Sequence, residues 1–335
     1  MPFISLGDLR DLAGRVLKAS KTSHENAALV ASALVRADAD GIPSHGVARL
    51  PVYADQAKAG KVDGHAVPEI TETGTAAVRV DAKRGFAYPA ITAGLARTRD
   101  MVANAGVVAV AIGNSSHAGV LGHHGEDLAT DGLAAMIFAN TPAAISPWGG
   151  NRALYGTNPI AFACPRADAP PLVIDLSLTK VARGKIKLAA DRDEPLADGL
   201  ATDATGKPTT DAQASMDGGG LLPIGDAKGA ALALMVEVMS AVMTGSRFGY
   251  EASSFFDAEG GPPDTGQFFF IFRPEHFGGG GVLARLEEIL GAITEQPGTR
   301  LPGARRLENR EKAEEKGVDI ADKLLADLTE LATNN

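Results

Sequence analysis

From residue 76 onward, short apolar runs alternate with helical patterns, and this alternation restricts the chain to the α/β (α+β) class of folds. The apolar runs predict strands at 77–80, 107–112, 134–138, 160–163, 172–176 and 268–272. Helical periodicity predicts helices at 89–105, 124–130 and 227–243, the last apolar enough to be buried. The segment 191–220, rich in Asp, Gly, Thr and Pro, is predicted to be irregular. These elements predict a central sheet flanked by helices.

Helical patterns predominate at both ends of the chain. Ser5 can cap a helix whose apolar face begins at Leu6, and the residues TSHE at 22–25 form a capping-box pattern that opens a second helix. Helical periodicity returns after residue 281 and continues to the charged tail. We therefore predict a mainly helical domain made of residues 1–75 and 285–335, and a sheet domain made of residues 76–284.

The composition narrows the classes of partner. The net charge is −9, from 32 basic and 41 acidic residues, which argues against binding to nucleic acid or to an anionic membrane surface. The longest apolar run, 230–243, contains Glu237 and Ser240 and is too short to span a bilayer. A single cysteine, Cys164, is typical of a reducing compartment. We therefore expect a cytoplasmic protein with no membrane or nucleic-acid partner.

Side chains suited to catalysis follow the second predicted helix. Ser44, His45 and Gly46 are followed by Arg49 and Tyr53. If the chain turns helical after Gly46, then His45, Arg49 and Tyr53 are spaced by four residues and share one face. That face would combine a proton-transfer group, a guanidinium fork for a carboxylate and a phenol. The alternative is an exposed helix face with solvated side chains.

A second polar cluster, residues 114–119, directly follows the predicted strand at 107–112. Polar groups at the end of a strand often face a ligand. The cluster contains His117, and because His123 and His124 follow it, a metal site has to be considered. These histidines lack the i, i+4 spacing and the carboxylate of a zinc-binding helix, so we expect no metal. A loop histidine bonded to the backbone is the alternative to a ligand site.

Glycines and basic residues further along the chain are typical of places where a protein approaches a phosphate. Glycine-rich turns occur at 148–150 and 156–159, although tight turns alone also explain such residues. Basic residues beside glycine or near predicted helix starts are Arg183, Lys185, Lys228, Arg305, Arg306 and Arg310. Neither the dinucleotide fingerprint G-x-G-x-x-G nor a P-loop occurs. Spacing alone therefore leaves a nucleotide site open, with solvated charge as the alternative.

These clusters, in this order, resemble the type 2 malate/L-lactate dehydrogenase family. The matching segments are 40–60 (DGIPSHGVARLPVYADQAKAG), 114–133, 147–165, 173–186, 218–245 and 300–310 (RLPGARRLENR), which together extend over almost the whole chain. The resemblance implies a homodimer that binds NADH or NADPH on a non-Rossmann fold with a largely antiparallel central sheet. It also implies that the sheet domain binds NAD(P), while the helical domain carries residues on the substrate side.

The resemblance also implies a role for each matched residue. His45, with Ser44 beside it, would transfer the proton, and His117 would face the reacting carbon. The implied substrate contacts are Arg49, on the carboxylate, Tyr53 and Thr157. The implied cofactor contacts are Ile112, Gly113, Asn114, Ser115 and Ser116, then Asp175, Leu176 and Ser177, then Arg183, Gly184, Lys185 and Lys228, and finally Arg305, Arg306 and Arg310. The last three are our hypothesis for holding the 2′-phosphate of NADPH.

The resemblance leaves the substrate open between two classes. The segments 61–68 (KVDGHAVP) and 255–272 (FFDAEGGPPDTGQFFFIF) favour the reductases of the cyclic ketimines Δ1-piperideine-2-carboxylate and Δ1-pyrroline-2-carboxylate. Those reductases carry an aspartate where Lys185 stands, and a lysine cannot accept the hydrogen bond that a carboxylate would. We therefore place hydride transfer between nicotinamide and a small 2-hydroxy or 2-oxo acid ahead of ketimine reduction.

A third hypothesis is a non-catalytic ligand-binding protein on the same scaffold. The retention of Ser44, His45, Arg49 and His117 argues against it.

Overall fold

A seven-stranded sheet runs through the middle of the protein, whose computed structural model describes residues 3–333. Its strands are β2 (Glu69–Gly74), β3 (Ala77–Asp81), β4 (Val107–Ser115), β5 (Ala134–Ala139), β6 (Ile160–Cys164), β7 (Leu172–Leu176) and β11 (Thr265–Phe272). The spatial order is β2-β3-β4-β11-β5-β6-β7, and within it β3 pairs with β4 in parallel while the other neighbours pair antiparallel. The carboxyl ends of β4, β5 and β7 therefore meet the amino end of β6 at one edge, here called the site edge.

Two small sheets complete the strands. β1 (Phe3–Ile4) pairs with β12 (Val318–Asp319) and so joins the two ends of the chain. The other small sheet contains β8 (Ala201–Thr202), β9 (Pro208–Thr209) and β10 (Gly220–Leu221).

Helices cover the sheet and form most of the two ends of the chain. They are α1 (Leu6–Ala19), α2 (His24–Ala39), α3 (Leu50–Ala59), α4 (Ala87–Ala105), α5 (Leu121–Thr130), α6 (Arg183–Asp191), α7 (Ala212–Met216), α8 (Ala227–Glu237), α9 (Glu275–Gly278), α10 (Val282–Thr294), α11 (Ala304–Lys316) and α12 (Asp322–Leu331). Ser5 caps α1 by accepting from the amide of Asp8, and Ser23 caps α2 by accepting from the amide of Asn26. These caps satisfy amides that have no partner inside their helix.

The apolar core is divided among several clusters. One cluster joins α1, α2 and α3 to the end of the chain, with Leu9, Leu34 and Tyr53 packed in the same group as Ala313 and Leu328. A second fills the space between α4, α5 and the sheet. Burying a leucine side chain contributes about 1.5–3 kcal/mol, so both ends of the chain are held to one body mainly by apolar packing.

The predicted mixed α/β fold with a central sheet flanked by helices is confirmed, and each of the six predicted strands is present. Two sequence expectations need correction. The segment 191–220 is not wholly irregular, because it contains α7, the short strands β8 and β9, and the first residue of β10. The helix predicted at 227–243 is α8 followed by a π-helical turn, Val238–Val242, and it is not fully buried: Leu234 and Met243 are about half exposed. Among residues 3–333, no helix is long and apolar enough to cross a membrane.

Candidate active site

Two 3-10 turns, Pro43–His45 and Val47–Arg49, carry the first group of candidate residues. A buried carboxyl group fixes their geometry, because the amide of Val47 donates to Oδ2 of Asp38 at 2.7 Å. Gly46 passes so close to Asp38 that a Cβ on it would lie 2.0 Å from Oδ1, so no side chain fits there. Burial raises the pKa of Asp38 to about 7. The helix predicted after Gly46 begins only at Leu50, and Asp38 is a supporting residue that the sequence analysis missed.

The two candidate histidines, which are far apart in the sequence, lie next to each other. The ring centroids of His45 and His117 are 5.3 Å apart. Oγ of Ser44 lies 3.0 Å from Nδ1 of His45, and the hydroxyl of Tyr53 lies 2.6 Å from Nδ1 of His117. Nε of Arg49 donates to the carbonyl of Ser44 at 2.7 Å, which keeps the guanidinium beside the same turn. The structure therefore gathers these five predicted residues into one pocket.

Both imidazoles are neutral in this pocket at neutral pH. Burial and, after it, the charge of Arg49 lower the pKa of His45 to about 4 and hold the pKa of His117 well below its usual value. Burial raises the pKa of Tyr53, so its phenol keeps its proton and can donate it to Nδ1 of His117. With Tyr53 as the donor, the ring proton of His117 is on Nε2, where it can be donated to a ligand.

Two phenylalanines that are adjacent in the sequence, Phe255 and Phe256, pack against the residues of this pocket. The ring of Phe255 lies 5.1 Å from that of His117, and the ring of Phe256 lies 4.7 Å from Cζ of Arg49. A guanidinium over an aromatic face gains a favourable interaction with the ring. The sequence analysis quoted this FF pair only as part of a resemblance and gave it no role. In the sequence, this pair was visible as two large apolar residues within an otherwise polar loop.

Thr157 and the end of β4 both lie at the site edge. The amide of Thr157 donates to Oγ1 of Thr141 at 2.9 Å, and both residues lie just outside the sheet at this edge. At the end of β4, Asn114 has φ of 52° and donates through Nδ2 to Asp81, while Gly113 passes against the carbonyl of Thr244. The neighbouring predicted residues Ile112, Ser115 and Ser116 are buried.

The end of β7 lies further along the site edge. The amide of Gly122, at the start of α5, donates to Oδ2 of Asp175 at 2.7 Å. Desolvation by the surrounding protein raises the pKa of Asp175 to about 6. Oγ of Ser177 lies 2.8 Å from Oγ1 of Thr179, and Leu176 is exposed beside it. Between β4 and β7 lie three strands, so the edge spans roughly 19 Å at the usual strand spacing.

The start of α6 lies beside the 3-10 turn Pro43–His45. A Cβ placed on Gly184 would be 3.9 Å from Cβ of Ser44. Arg183 donates to the neutral carbonyl of Ala143 at 2.7 Å, and burial lowers the pKa of its guanidinium. Lys185 is exposed on the next position of this helix, and Lys228 is exposed at the start of α8.

The three C-terminal arginines have different surroundings. Arg305 is exposed, whereas Arg306 and Arg310 lie in a buried ion-pair cluster with Asp40 and Glu126. All three guanidinium nitrogens of Arg310 donate to these two carboxylates. Nη2 of Arg306 is buried and has no hydrogen-bond partner among residues 3–333. Arg310 is therefore committed within the protein, while Arg306 retains an unused donor.

The ion-pair cluster also engages a histidine that was weighed as a metal ligand. Nε2 of His123 lies 2.8 Å from Oδ2 of Asp40, and Asp40 is fully buried. The pKa of Asp40 is held well below its usual value by hydrogen bonds from His123 and Arg310 that outweigh its burial. Nε2 of His124 lies 3.0 Å from the carbonyl of Ala118. In the described part of the chain, no group of three or more acidic, histidine or cysteine side chains is arranged to hold a metal.

The two neutral imidazoles and the adjacent guanidinium combine proton-transfer groups with a group that binds carboxylates. The family model for malate/L-lactate dehydrogenase matches residues 4–329. The chain belongs to this family and is an NAD(P)-dependent oxidoreductase.

Among its relatives, a (2R)-3-sulfolactate dehydrogenase (NADP(+)) from Chromohalobacter salexigens is 50% identical, over 90% of this chain and 90% of that protein. A Δ1-pyrroline-2-carboxylate/Δ1-piperideine-2-carboxylate reductase from Pseudomonas putida is 38% identical, over 97% of this chain and 95% of that protein. The crystal structure of Δ1-piperideine-2-carboxylate reductase from Pseudomonas syringae pv. tomato superposes with a TM-score of 0.93 at 38% identity, over 99% of this chain and all of that one.

Proposed function

We propose that the protein interconverts a small 2-hydroxy acid with its 2-oxo acid and that His45 transfers the proton. The observation that carries this proposal is the meeting of His45, His117 and Arg49 in one pocket. Arg49 would bind the carboxylate with its fork, because a guanidinium matches a carboxylate in geometry and charge. Nε2 of His117 would donate to the oxygen on C2, with Tyr53 holding that ring in the required tautomer. Thr157, at the rim, would contact the rest of the substrate.

The site edge fits a nicotinamide dinucleotide. Asp175 and the buried, unused Nη2 of Arg306 offer an acceptor and a donor at one end of this edge. We infer that the residues predicted from the resemblance hold the cofactor along this edge, except Arg310, whose nitrogens are occupied, and Lys185, which follows Gly184 beside Ser44. When bound, the nicotinamide ring supplies or accepts the hydride. The protein positions the acid and excludes water.

Two observations favour a hydroxy acid over a cyclic ketimine. The relative that is 50% identical is named for a 2-hydroxy acid, whereas the reductases are 38% identical or less. Lys185 lies on the helix that starts beside Ser44, at the position where the resemblance places an aspartate in the reductases. A second positive charge near the pocket suits a substrate with a second anionic group, such as a 3-sulfonate or a 4-carboxylate. Ketimine reduction is the second candidate.

A substrate panel tests the proposal directly. We expect loss of NADPH absorbance with 3-sulfopyruvate or oxaloacetate, and little loss with Δ1-piperideine-2-carboxylate, Δ1-pyrroline-2-carboxylate or pyruvate. Turnover of a ketimine alone would replace the first candidate by the second. Binding of NADPH without turnover of any member would support a non-catalytic ligand-binding protein.

The low pKa of His45 predicts how the rates of oxidation and of reduction depend on pH. Because its pKa is about 4 in the free enzyme, His45 is already an unprotonated base for oxidation of the hydroxy acid, so kcat/KM for oxidation should stay level from pH 6 to 8. Reduction needs the protonated imidazole, so its kcat/KM should fall about tenfold per pH unit over the same range. A bound carboxylate on Arg49 removes one cause of the low pKa and shifts the kcat profile to higher pH. Steady-state profiles in both directions check this, and a level profile for reduction would contradict it.

Two arginines at the N-terminal end of α11 predict that the protein prefers NADPH to NADH. Arg305 is exposed there, and Nη2 of Arg306 is unused, so we propose that they bind the 2′-phosphate of NADPH. Arg305→Ala and Arg306→Ala are each expected to raise the KM of NADPH relative to that of NADH by about tenfold, the loss of one charge-assisted contact. Arg285→Ala, at an exposed site on α10, serves as the control. An unchanged ratio in both variants would end this assignment.

The remaining proposals concern the whole molecule. We infer a helical domain from residues 1–75 and 285–335 and a sheet domain from 76–284, supported by the apolar cluster that joins α1, α2 and α3 to the end of the chain, although β2 from the first segment adds a strand to the central sheet. We also infer a cytoplasmic homodimer, with no nucleic acid or membrane among its partners. Support for a dimer comes from apolar side chains exposed together on α8 and the π-helical turn, namely Leu232, Leu234, Met235, Val242 and Met243. Light scattering should give twice the mass of one chain, and Val242→Asp should halve it.

A further inference from the structure

We propose that Lys61 is a positioning residue for substrate binding, which fastens residues 253–259, here called the aromatic loop, over the two histidines. The proposal rests on the proposed function, because it assigns this loop to the binding of the oxo acid. Lys61 is only 2% exposed, and it lies outside the pocket formed by His45, His117 and Arg49. Lys61 matters because its ammonium group binds the aromatic loop.

The ammonium group of Lys61 is surrounded by acceptors from the aromatic loop alone. Nζ lies 2.8 Å from the carbonyl of Ser254, 2.6 Å from that of Glu259 and 3.2 Å from that of Asp257. Oδ1 of Asp257 is a fourth acceptor, at 3.2 Å. A buried charge is stable only when its hydrogen bonds are satisfied, and here loop atoms satisfy all three protons. Removal of the ammonium group would take this donor away from the carbonyls of Ser254 and Glu259.

The end of α3 places Lys61 where it can reach the loop. Gly60 ends this helix with a left-handed backbone, at φ of 75°, and the amide of Lys61 then donates to the carbonyl of Gln56 at 2.9 Å. Nε2 of Gln56 donates to the carbonyl of Asp257 at 2.9 Å, so two neighbouring side chains hold the same point of the loop. The same helix carries Tyr53, which contacts His117. One helix therefore fixes both a catalytic histidine and the loop above it.

The aromatic loop contacts the residues that would bind substrate. Phe255 is 7% exposed and packs on His117, while Phe256 lies under the guanidinium of Arg49. These rings would hold the carboxylate fork in one orientation and exclude water from the imidazoles. A loop that has lost its anchor would leave Arg49 free to turn and the histidines hydrated. Such a loss should weaken the binding of the oxo acid more than that of the cofactor, since the site edge lies on other elements.

The test compares Lys61→Met with Lys18→Met, which removes an exposed lysine of α1. Lys61→Met is expected to raise the KM of the oxo acid about tenfold or more, with kcat within about threefold and the KM of NADPH unchanged. Chymotrypsin should cut after Phe255 or Phe256 faster in this variant than in the control. Asp257→Ala, at a half-exposed carboxylate, should change both readouts in the same direction by a smaller factor, and it serves if Lys61→Met does not fold.

Two outcomes would overturn the proposal. One is a lower melting temperature with an unchanged KM for the oxo acid, which would make Lys61 a stabilising residue only. The other is an equal loss of affinity for NADPH and the oxo acid. If the wild-type enzyme turns over no member of the substrate panel, the proposed function fails by itself. Proteolysis still judges the anchor in that case, because unchanged cleavage in Lys61→Met would show that the ammonium group does not hold the loop.

Discussion

Replacing His45 with alanine is expected to lower kcat for reduction of the oxo acid by about 10²–10⁴-fold, the usual contribution of a positioned proton-transfer group. Hydride transfer to C2 places negative charge on the adjacent oxygen, and the His45 ring is held beside His117, where that oxygen would lie. The dissociation constant of NADPH should change little, because the variant removes a group that acts on the reacting atoms. Stopped-flow kinetics with cofactor titration by fluorescence would measure both quantities.

A matched histidine variant separates this effect from a general loss of structure. His65→Ala removes an exposed histidine and should leave kcat unchanged. In His45→Ala, the steep fall of reduction with rising pH should also disappear, since the titrating group is gone. Turnover of His45→Ala within a few-fold of the wild type would assign the proton donor to another residue, and His117 would be the first to test.

Replacing Glu126 with glutamine is expected to destabilise the protein by about 3–5 kcal/mol, because it leaves one positive charge of a buried ion-pair cluster uncompensated. The side chain of Glu126 is only 6% exposed and accepts from Arg36, Arg306 and Arg310. This cluster joins α2, α5 and α11, so its loss weakens the contact between the two ends of the chain and the sheet. Urea unfolding followed by circular dichroism at pH 7 measures the change.

The exposed pair of Glu72 and Arg97 provides the control. Glu72→Gln should cost at most about 1 kcal/mol, as is usual for a solvated ion pair. The destabilisation by Glu126→Gln should shrink as the pH is lowered. Hydrogen bonds from Arg310 and Arg306 outweigh burial and lower the pKa of Glu126 from 4.5 to about 2, so its stabilising effect is complete above 4.5 and is lost as the pH falls towards 2. Equal losses for the two variants at pH 7 would show that the buried cluster is not a structural anchor.

Local patterns were enough to predict the strands of the central sheet. The run 268–272 in β11 is apolar, with Phe269 and Ile271 fully buried on one face and Phe270 partly exposed on the other, and its short length between turns distinguishes it from a helix. The cap at Ser5 was likewise visible in the sequence. The capping-box pattern at 22–25 correctly placed the start of α2, but the cap is Ser23 and not Thr22, with which the pattern begins. The apolar helix at 227–243 was assigned to the interior, but the sequence alone does not say whether a side chain is buried by its own chain or by a second one.

Part of the pocket was predictable because three of its residues are close together in the sequence. His45, Arg49 and Tyr53 lie close together in the sequence, so their sharing of one site follows from local geometry. Long-range partners were not visible: Lys61 reaches a loop nearly two hundred residues later, and Arg310 reaches Asp40 from the other end of the chain. Such contacts depend on tertiary packing. Arg310, whose position suggested a phosphate ligand, is for this reason occupied by carboxylates.

A crystal structure of the protein with NADPH and an unreactive analogue of the oxo acid tests the central claim most directly. The account predicts that the analogue's carboxylate lies on Arg49, that its C2 oxygen lies within hydrogen-bond distance of His45 or His117, and that the nicotinamide ring faces C2 from the site edge. A dinucleotide bound away from the two imidazoles, or a carboxylate held by other residues, would contradict it.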